Sequence, residues 1–119
     1  MNNITMYGIS PKSCDTIKKA QKWLNENNIS FSFHDYREDG LDKTLLDQLY
    51  QTTNWEEMLN KRSTSYRALT DQQKESLNEV TATALFLQFP TLIKRPLVIK
   101  QGVAMLGFNL NNYQKFFTV

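Results

Sequence analysis

The sequence is poor in the residues that staple or ligate. It has one cysteine, Cys14, and one histidine, His34. A single thiol cannot close an internal disulfide, which excludes a disulfide-stapled secreted scaffold. The same scarcity excludes zinc sites built from several cysteines or histidines. Four glycines and three prolines leave no flexible linker and call for short, ordered connections. Repeats and low-complexity tracts are absent. No stretch approaches the roughly 18–20 apolar residues of a membrane span, and residues 1–7 lack the basic and apolar regions of a signal peptide. Net charge is only +2, too small a surplus to point to nucleic acid. A soluble, monomeric protein of a reducing compartment, the cytoplasm, is expected, with no nucleic-acid or membrane partner.

What is present is enough for a core. The chain has 119 residues, of which 40% are hydrophobic and 22% charged, a globular balance. That length suits one domain, 1–119, which buries roughly two thirds of its unfolded surface without staples.

Residues 3–7 alternate as a short strand, Ile4 and Met6 against Thr5 and Tyr7. A turn-rich loop, 8–13, follows. From Cys14 the period becomes helical, with Ile17, Ala20 and Leu24 at i, i+3 and i+7 and Ser13 as a candidate N-cap. Asn27-Asn28 ends this helix, and residues 31–36 alternate again. Strand, helix and strand in so short a span predict a βαβ unit with parallel strands.

A helical block over about 42–90 comes next. Asp42 can cap its first helix, and Thr70 with Gln73 reads as a capping box. Residues 80–89 are apolar on most faces, which predicts a buried helix stopped by Pro90. Leu97-Val98-Ile99 and Val103 to Leu106 read as a hairpin turned at Gln101-Gly102. Asn109 can cap a last helix carrying Leu110, Tyr113 and Phe117. The order β-α-β, helical block, β-β-α is that of an α/β, thioredoxin-like fold: a mixed four-stranded sheet with an inserted helical block.

Cys14 stands where the first strand hands over to the first helix. Unpaired N–H groups and the helix dipole at such an end favour a thiolate. Lys12 and Lys18 add positive charge nearby in sequence, and Asp15 opposes it. An inert, buried cysteine is the alternative. Position 17 holds Ile17, so there is no Cys-x-x-Cys pair. Redox turnover at Cys14 therefore needs an external thiol. Arg95-Pro96 precedes the third strand. In thioredoxin-like folds such a proline is cis and faces the cysteine loop, whereas X–Pro bonds in general are mostly trans. Arg95 would then offer a planar fork to a thiolate, an oxyanion or a carboxylate, or else be a solvated loop residue. Lys61-Arg62, between Asn60 and Ser63-Thr64-Ser65, is either an anion-binding or a solvated loop. His34, Trp23, Trp55, Phe116 and Phe117 read as packing residues.

Several segments together carry a family resemblance. They are Tyr7-Gly8-Ile9, the run Cys14 to Ala20, Phe33-His34-Asp35-Tyr36-Arg37 with Asp39-Gly40-Leu41, Leu59 to Thr64, Ile93-Lys94-Arg95-Pro96 and Leu106-Gly107-Phe108. Spread over nearly the whole chain, they resemble the ArsC/Spx family of thioredoxin-fold proteins, in its YffB-like branch. The resemblance implies that Cys14 is the catalytic nucleophile. It implies that Arg95, ahead of Pro96, is one of the arginines with which the family's arsenate reductases hold the oxyanion. Asn60 and Gly107 stand where the other two arginines would be, with Arg62 close to the first. Fewer positive forks weaken the hold on a multiply charged oxyanion and favour a thiol-linked substrate. Arg62, Asn60 and Lys12 remain candidates to line the site.

The resemblance further implies a glutathione-dependent thiol reductase with no bound cofactor or metal. Glutathione, or a glutaredoxin-type thiol, would be co-substrate and partner, and the substrate a small molecule or a thiol. Arsenate reductase coupled to glutaredoxin is one alternative. An Spx-like regulator that binds RNA polymerase is another, although Ile17 removes the Cys-x-x-Cys switch usual there. The loop from Gly8 to Cys14 is also longer than the family's usual spacing.

Overall fold

The computed structural model describes residues 4–117. Asn3, placed in the first expected strand, lies outside the described residues, as do both ends of the 1–119 span. The chain divides into two compact units, Met1–Asp39 with Arg95–Val119, and Gly40–Lys94.

The first unit holds the sheet. Strands β1 (Ile4–Gly8), β2 (Ser32–Asp35), β3 (Leu97–Lys100) and β4 (Val103–Leu106) lie in the order β2-β1-β3-β4. β1 and β2 run parallel, as the βαβ reading requires; β3 is antiparallel to both β1 and β4. The sheet is thus mixed and four-stranded, as expected. Register places Met6 beside Phe33 on one side and Val98 on the other, and Val98 beside Met105. These four share one face. Helices α1 (Asp15–Glu26) and α7 (Leu110–Phe117) supply Ile17, Ala20, Leu24, Tyr113 and Phe117 to the same buried cluster. Burying each large aliphatic there stabilises the fold by about 1.5–3 kcal/mol.

The connections follow local rules. After α1 the Asn28 N–H bonds to the Asn25 carbonyl at 3.2 Å and the Ile29 N–H to the Leu24 carbonyl at 2.9 Å. This is a Schellman ending, with Asn28 at φ 57° in the left-handed position. The hairpin turn has Gln101 at φ 51° and Gly102 at φ 79°, the two positive values of a type I′ turn. Asn109 caps α7 as expected, its Oδ1 accepting from the Asn112 N–H at 3.1 Å. Leu110, expected on the buried stripe, is half exposed. The rings of Trp23 and Phe108 gather around Tyr113, and Trp23 and Phe116 around Phe117, leaving the first helical residue outside.

The second unit is helical: α2 (Lys43–Leu49), α3 (Trp55–Met58), α4 (Thr64–Arg67), α5 (Asp71–Glu75), α6 (Glu79–Gln88) and a 3₁₀ turn (Pro90–Leu92). Asp42 accepts from the Leu45 N–H, and Thr70 and Gln73 form the reciprocal capping box. Its core holds Leu46, Leu49, Met58, Leu69, Phe86, Leu92 and Ile93. The expectation that α6 is buried all round needs correction. Ala82, Thr83, Leu85 and Phe86 are buried, while Val80 is 78% exposed and Leu87 and Phe89 stand partly in solvent. Only one side of α6 meets α2, α3 and the 3₁₀ turn, so its apolar content exceeds what the unit can cover. Among the described residues, no helix is long and apolar enough to cross a membrane.

Candidate active site

The N-terminus of α1 is built by a short turn. The Ser13 N–H donates to the Ser10 carbonyl at 2.9 Å, and the Lys12 N–H to Ser10 Oγ at 3.2 Å. The first intrahelical bond is accepted by the carbonyl of Cys14, so the N-cap is Cys14 rather than the expected serine. Cys14 is extended, at φ −142° and ψ 108°, and its carbonyl accepts the Lys18 N–H at 3.1 Å. Its side chain makes no capping hydrogen bond. The sulfur is therefore uncommitted beside the open N–H groups of a 12-residue helix. Cys14 is partly buried against the sheet-side core, and Lys12 is exposed.

Gly8, the last residue of β1, is the meeting point of this end of the sheet. A Cβ there would lie 2.1 Å from Ile17 Cδ1 and 3.9 Å from Arg95 Cγ. The bare backbone thus lets the first turn of α1 seat directly on β1, and it runs beneath the aliphatic stem of Arg95. The Gly8 carbonyl also accepts the Tyr36 N–H at 2.8 Å. This packing role was not read from the sequence. Its signal was a glycine at a strand end just ahead of an amphipathic helix.

The Arg95–Pro96 peptide is cis, and Pro96 is buried with its carbonyl accepting the Gly107 N–H at 2.9 Å. Arg95 is partly buried, and its Nη1 is shielded from solvent with no hydrogen-bond partner. Tyr36 Oη is likewise buried and unpartnered. Burial pushes the Tyr36 phenol far above its ordinary range; the Tyr7 phenol adds to the rise and the Arg95 charge works against it. Tyr36 is thus a neutral phenol close enough to feel the guanidinium. The rings of Tyr7, His34 and Tyr36 pack together, with centroids 5.4–6.3 Å apart, so His34 sits in a packed aromatic cluster.

Cys14, Lys12, Arg95 and Pro96 all belong to the sheet-bearing unit, and Asn60 and Arg62 to the helical one. Asn60 is spent on its own loop. Its Oδ1 accepts the Arg62 N–H at 3.0 Å, and its carbonyl accepts from the Ser63 N–H and Oγ. Arg62 is exposed. Around Gly8 meet the first turn of the helix that starts at Cys14 and the aliphatic stem of Arg95, whose Nη1 lacks an acceptor. Chemically, that is a nucleophile on the same unit as a fork for an anion.

Comparison with known proteins agrees with this architecture. The chain is 49% identical to an uncharacterised protein of Haemophilus influenzae, covering 96% of this chain and 98% of the relative. It is 28% identical to the global transcriptional regulator Spx of Streptococcus agalactiae, over 95% of this chain and 82% of that one. A solved structure of a YffB protein superposes with a TM-score of 0.83 at 37% identity, covering 94% and 96% of the two chains. An arsenate reductase-related protein of Brucella melitensis gives 0.81 at 37% identity, covering 100% and 97%. The ArsC family model matches residues 9–116. With the thioredoxin-like sheet and the cysteine at the head of α1, this match establishes that the chain belongs to the ArsC family.

Proposed function

We propose that the chain is a glutathione-dependent monothiol reductase. The observation that carries the reading is the Cys14 side chain: it heads a 12-residue helix and makes no capping bond. The thiolate is the form of a cysteine that attacks disulfides. The thiolate attacks one sulfur of a disulfide substrate. The S–S bond breaks, the other half leaves as a thiolate, and Cys14 is held as a mixed disulfide. With no second thiol in the chain, an external thiol of glutathione or a glutaredoxin-type protein attacks that mixed disulfide. It frees Cys14 and carries away the substrate half as a new disulfide. The electrons come from the external thiol. Arg95, whose Nη1 has no acceptor within the protein, holds a carboxylate of the thiol reagent, and Lys12 lines the approach. Asn60 and Arg62 are weaker contributors. Such a cycle belongs in a reducing compartment, the cytoplasm, and needs only a monomer.

Intact-mass spectrometry after exposure to oxidised glutathione tests this. One glutathionyl adduct on Cys14 is expected, absent in Cys14→Ser and removed by reduced glutathione. A protein that forms no adduct refutes the reading. Supplying arsenate with glutathione and glutaredoxin should give no arsenite, because Arg95 is the one arginine of the family's oxyanion set retained in position. The Spx relatives favour a second reading, a regulator that binds RNA polymerase. Pull-down of polymerase equally by the wild type and Cys14→Ser would support it.

A further inference from the structure

The outward face of α1 carries charge that the rest of the protein does not balance. Between residues 12 and 26 lie Lys12, Lys18, Lys19 and Lys22 against Asp15 and Glu26. That surplus of two equals the net charge of the whole chain, so the remainder is neutral overall. All four lysines are exposed. The one ion pair among the described residues is Lys43–Asp47, so none of the four is held by a carboxylate. Ile17, Ala20 and Leu24 turn one side of α1 into the core, which sets the lysines on the opposite, solvent side. Lys18 follows Cys14 by one turn, and Lys22 follows Lys18 by another.

We propose that this lysine face is a docking surface for an acidic protein that delivers a thiol to Cys14. The proposal rests on the reductase reading for its purpose, but not for its physics. A small anion is bound by donors that converge on one point in a concave site. These lysines instead stand apart along about 12 Å of an open helix, at 1.5 Å per residue from Cys14 to Lys22. Separated point charges of that kind match the distributed charge of a macromolecular surface. They steer encounter and orient the partner along the helix, towards the end where the thiol stands. A nucleic acid is the poorer fit, because Asp15 and Glu26 lie within the same stretch.

The test uses labelled twelve-residue peptides, one rich in glutamate, one in lysine and one neutral, each with a single cysteine activated as its 2-thiopyridyl disulfide. Binding is read by anisotropy on Cys14→Ser protein. Thiopyridone release is read on wild type, at about 20 and 500 mM salt. The glutamate peptide should bind and react roughly tenfold better than the neutral one at low salt, and the advantage should collapse at high salt. Lys19→Glu with Lys22→Glu should move the preference to the lysine peptide and leave the neutral rate unchanged. Peptide rates within twofold of each other, or charge reversal without effect, overturn the proposal. So does an equal preference for a single-carboxylate disulfide, or stronger binding of duplex DNA than of the glutamate peptide. Charge-selective binding with an unreactive Cys14 would keep the docking face and refute the reductase. Reaction without charge selectivity would do the reverse.

Discussion

Replacing Gly8 by alanine probes how α1 is seated. The added methyl would lie 2.1 Å from Ile17 Cδ1, 3.4 Å from Ile17 Cγ1 and 3.9 Å from Arg95 Cγ. Only the first of these is a collision, so the clash is with a single atom at the tip of one side chain. Ile17 is fully buried among Met6, Ala20, Leu24 and Val98, so its tip cannot swing aside without displacing another core atom. Overpacking of this kind costs about 1–3 kcal/mol. The loss of unfolded-chain freedom on going from glycine to alanine returns about 0.4–1. Gly8→Ala is therefore expected to lose roughly 1–2 kcal/mol, and Ile17→Val, which removes Cδ1, about 0.5–1.5. In the double variant the new methyl occupies the space Cδ1 vacated. Its stability should return to within about 0.5 kcal/mol of wild type, a coupling of at least 1 kcal/mol. Urea melts of the four proteins measure this. Iodoacetamide alkylation of Cys14, one turn before Ile17, should slow in Gly8→Ala and recover in the double variant. Losses that simply add, or an unperturbed Gly8→Ala, would refute the claim that Ile17 seats the helix on Gly8.

Tyr36→Phe separates an alkaline effect from packing. Burial raises the folded-state pKa of Tyr36 above that of the unfolded chain, so above about pH 10 the unfolded state loses the proton first and stability falls by up to ~1.4 kcal/mol per pH unit. Below that pH the contribution is fully present. The variant, lacking an unpartnered hydroxyl, should match wild type at pH 8 and exceed it by about 1 kcal/mol at pH 11 in urea melts. Asn28→Gly, at φ 57° in the Schellman ending of α1, should raise stability by about 0.5 kcal/mol, and a lower melting temperature would contradict the assigned backbone. Lys100 Nζ donates to the Phe116 carbonyl at 2.8 Å and lies over the Phe116 and Phe117 rings. Lys100→Met should cost about 1 kcal/mol and increase amide exchange in the last turn of α7.

What could be read from the sequence was what is decided within a few residues. The capping box at Thr70, the cap at Asp42 and the turn at Gln101-Gly102 each depend on atoms three or four positions apart, and each stands where periodicity and cap chemistry placed it. The α1 cap shows where this stops. Ser13 and Cys14 both precede the first helical turn, and the better capping side chain lies inside the preceding turn while the helix starts one residue later, which cap preference alone does not weigh. Burial was legible only where a segment has one partner. Alternation in β1 identified Met6 as core because one face of the sheet is covered by α1 and α7. For α6, hydrophobicity identified a helix with more apolar surface than its neighbours cover. Arg95 belongs to a third kind. It is 81 residues from Cys14 in sequence, and what links them is Gly8: its missing Cβ lets Ile17 close on β1, and the Arg95 stem borders the same vacant Cβ position. No periodicity in the sequence encodes that convergence. It arises when β3 pairs antiparallel with β1 and carries Arg95, two residues before its first strand residue, to the end of β1 where Gly8 stands.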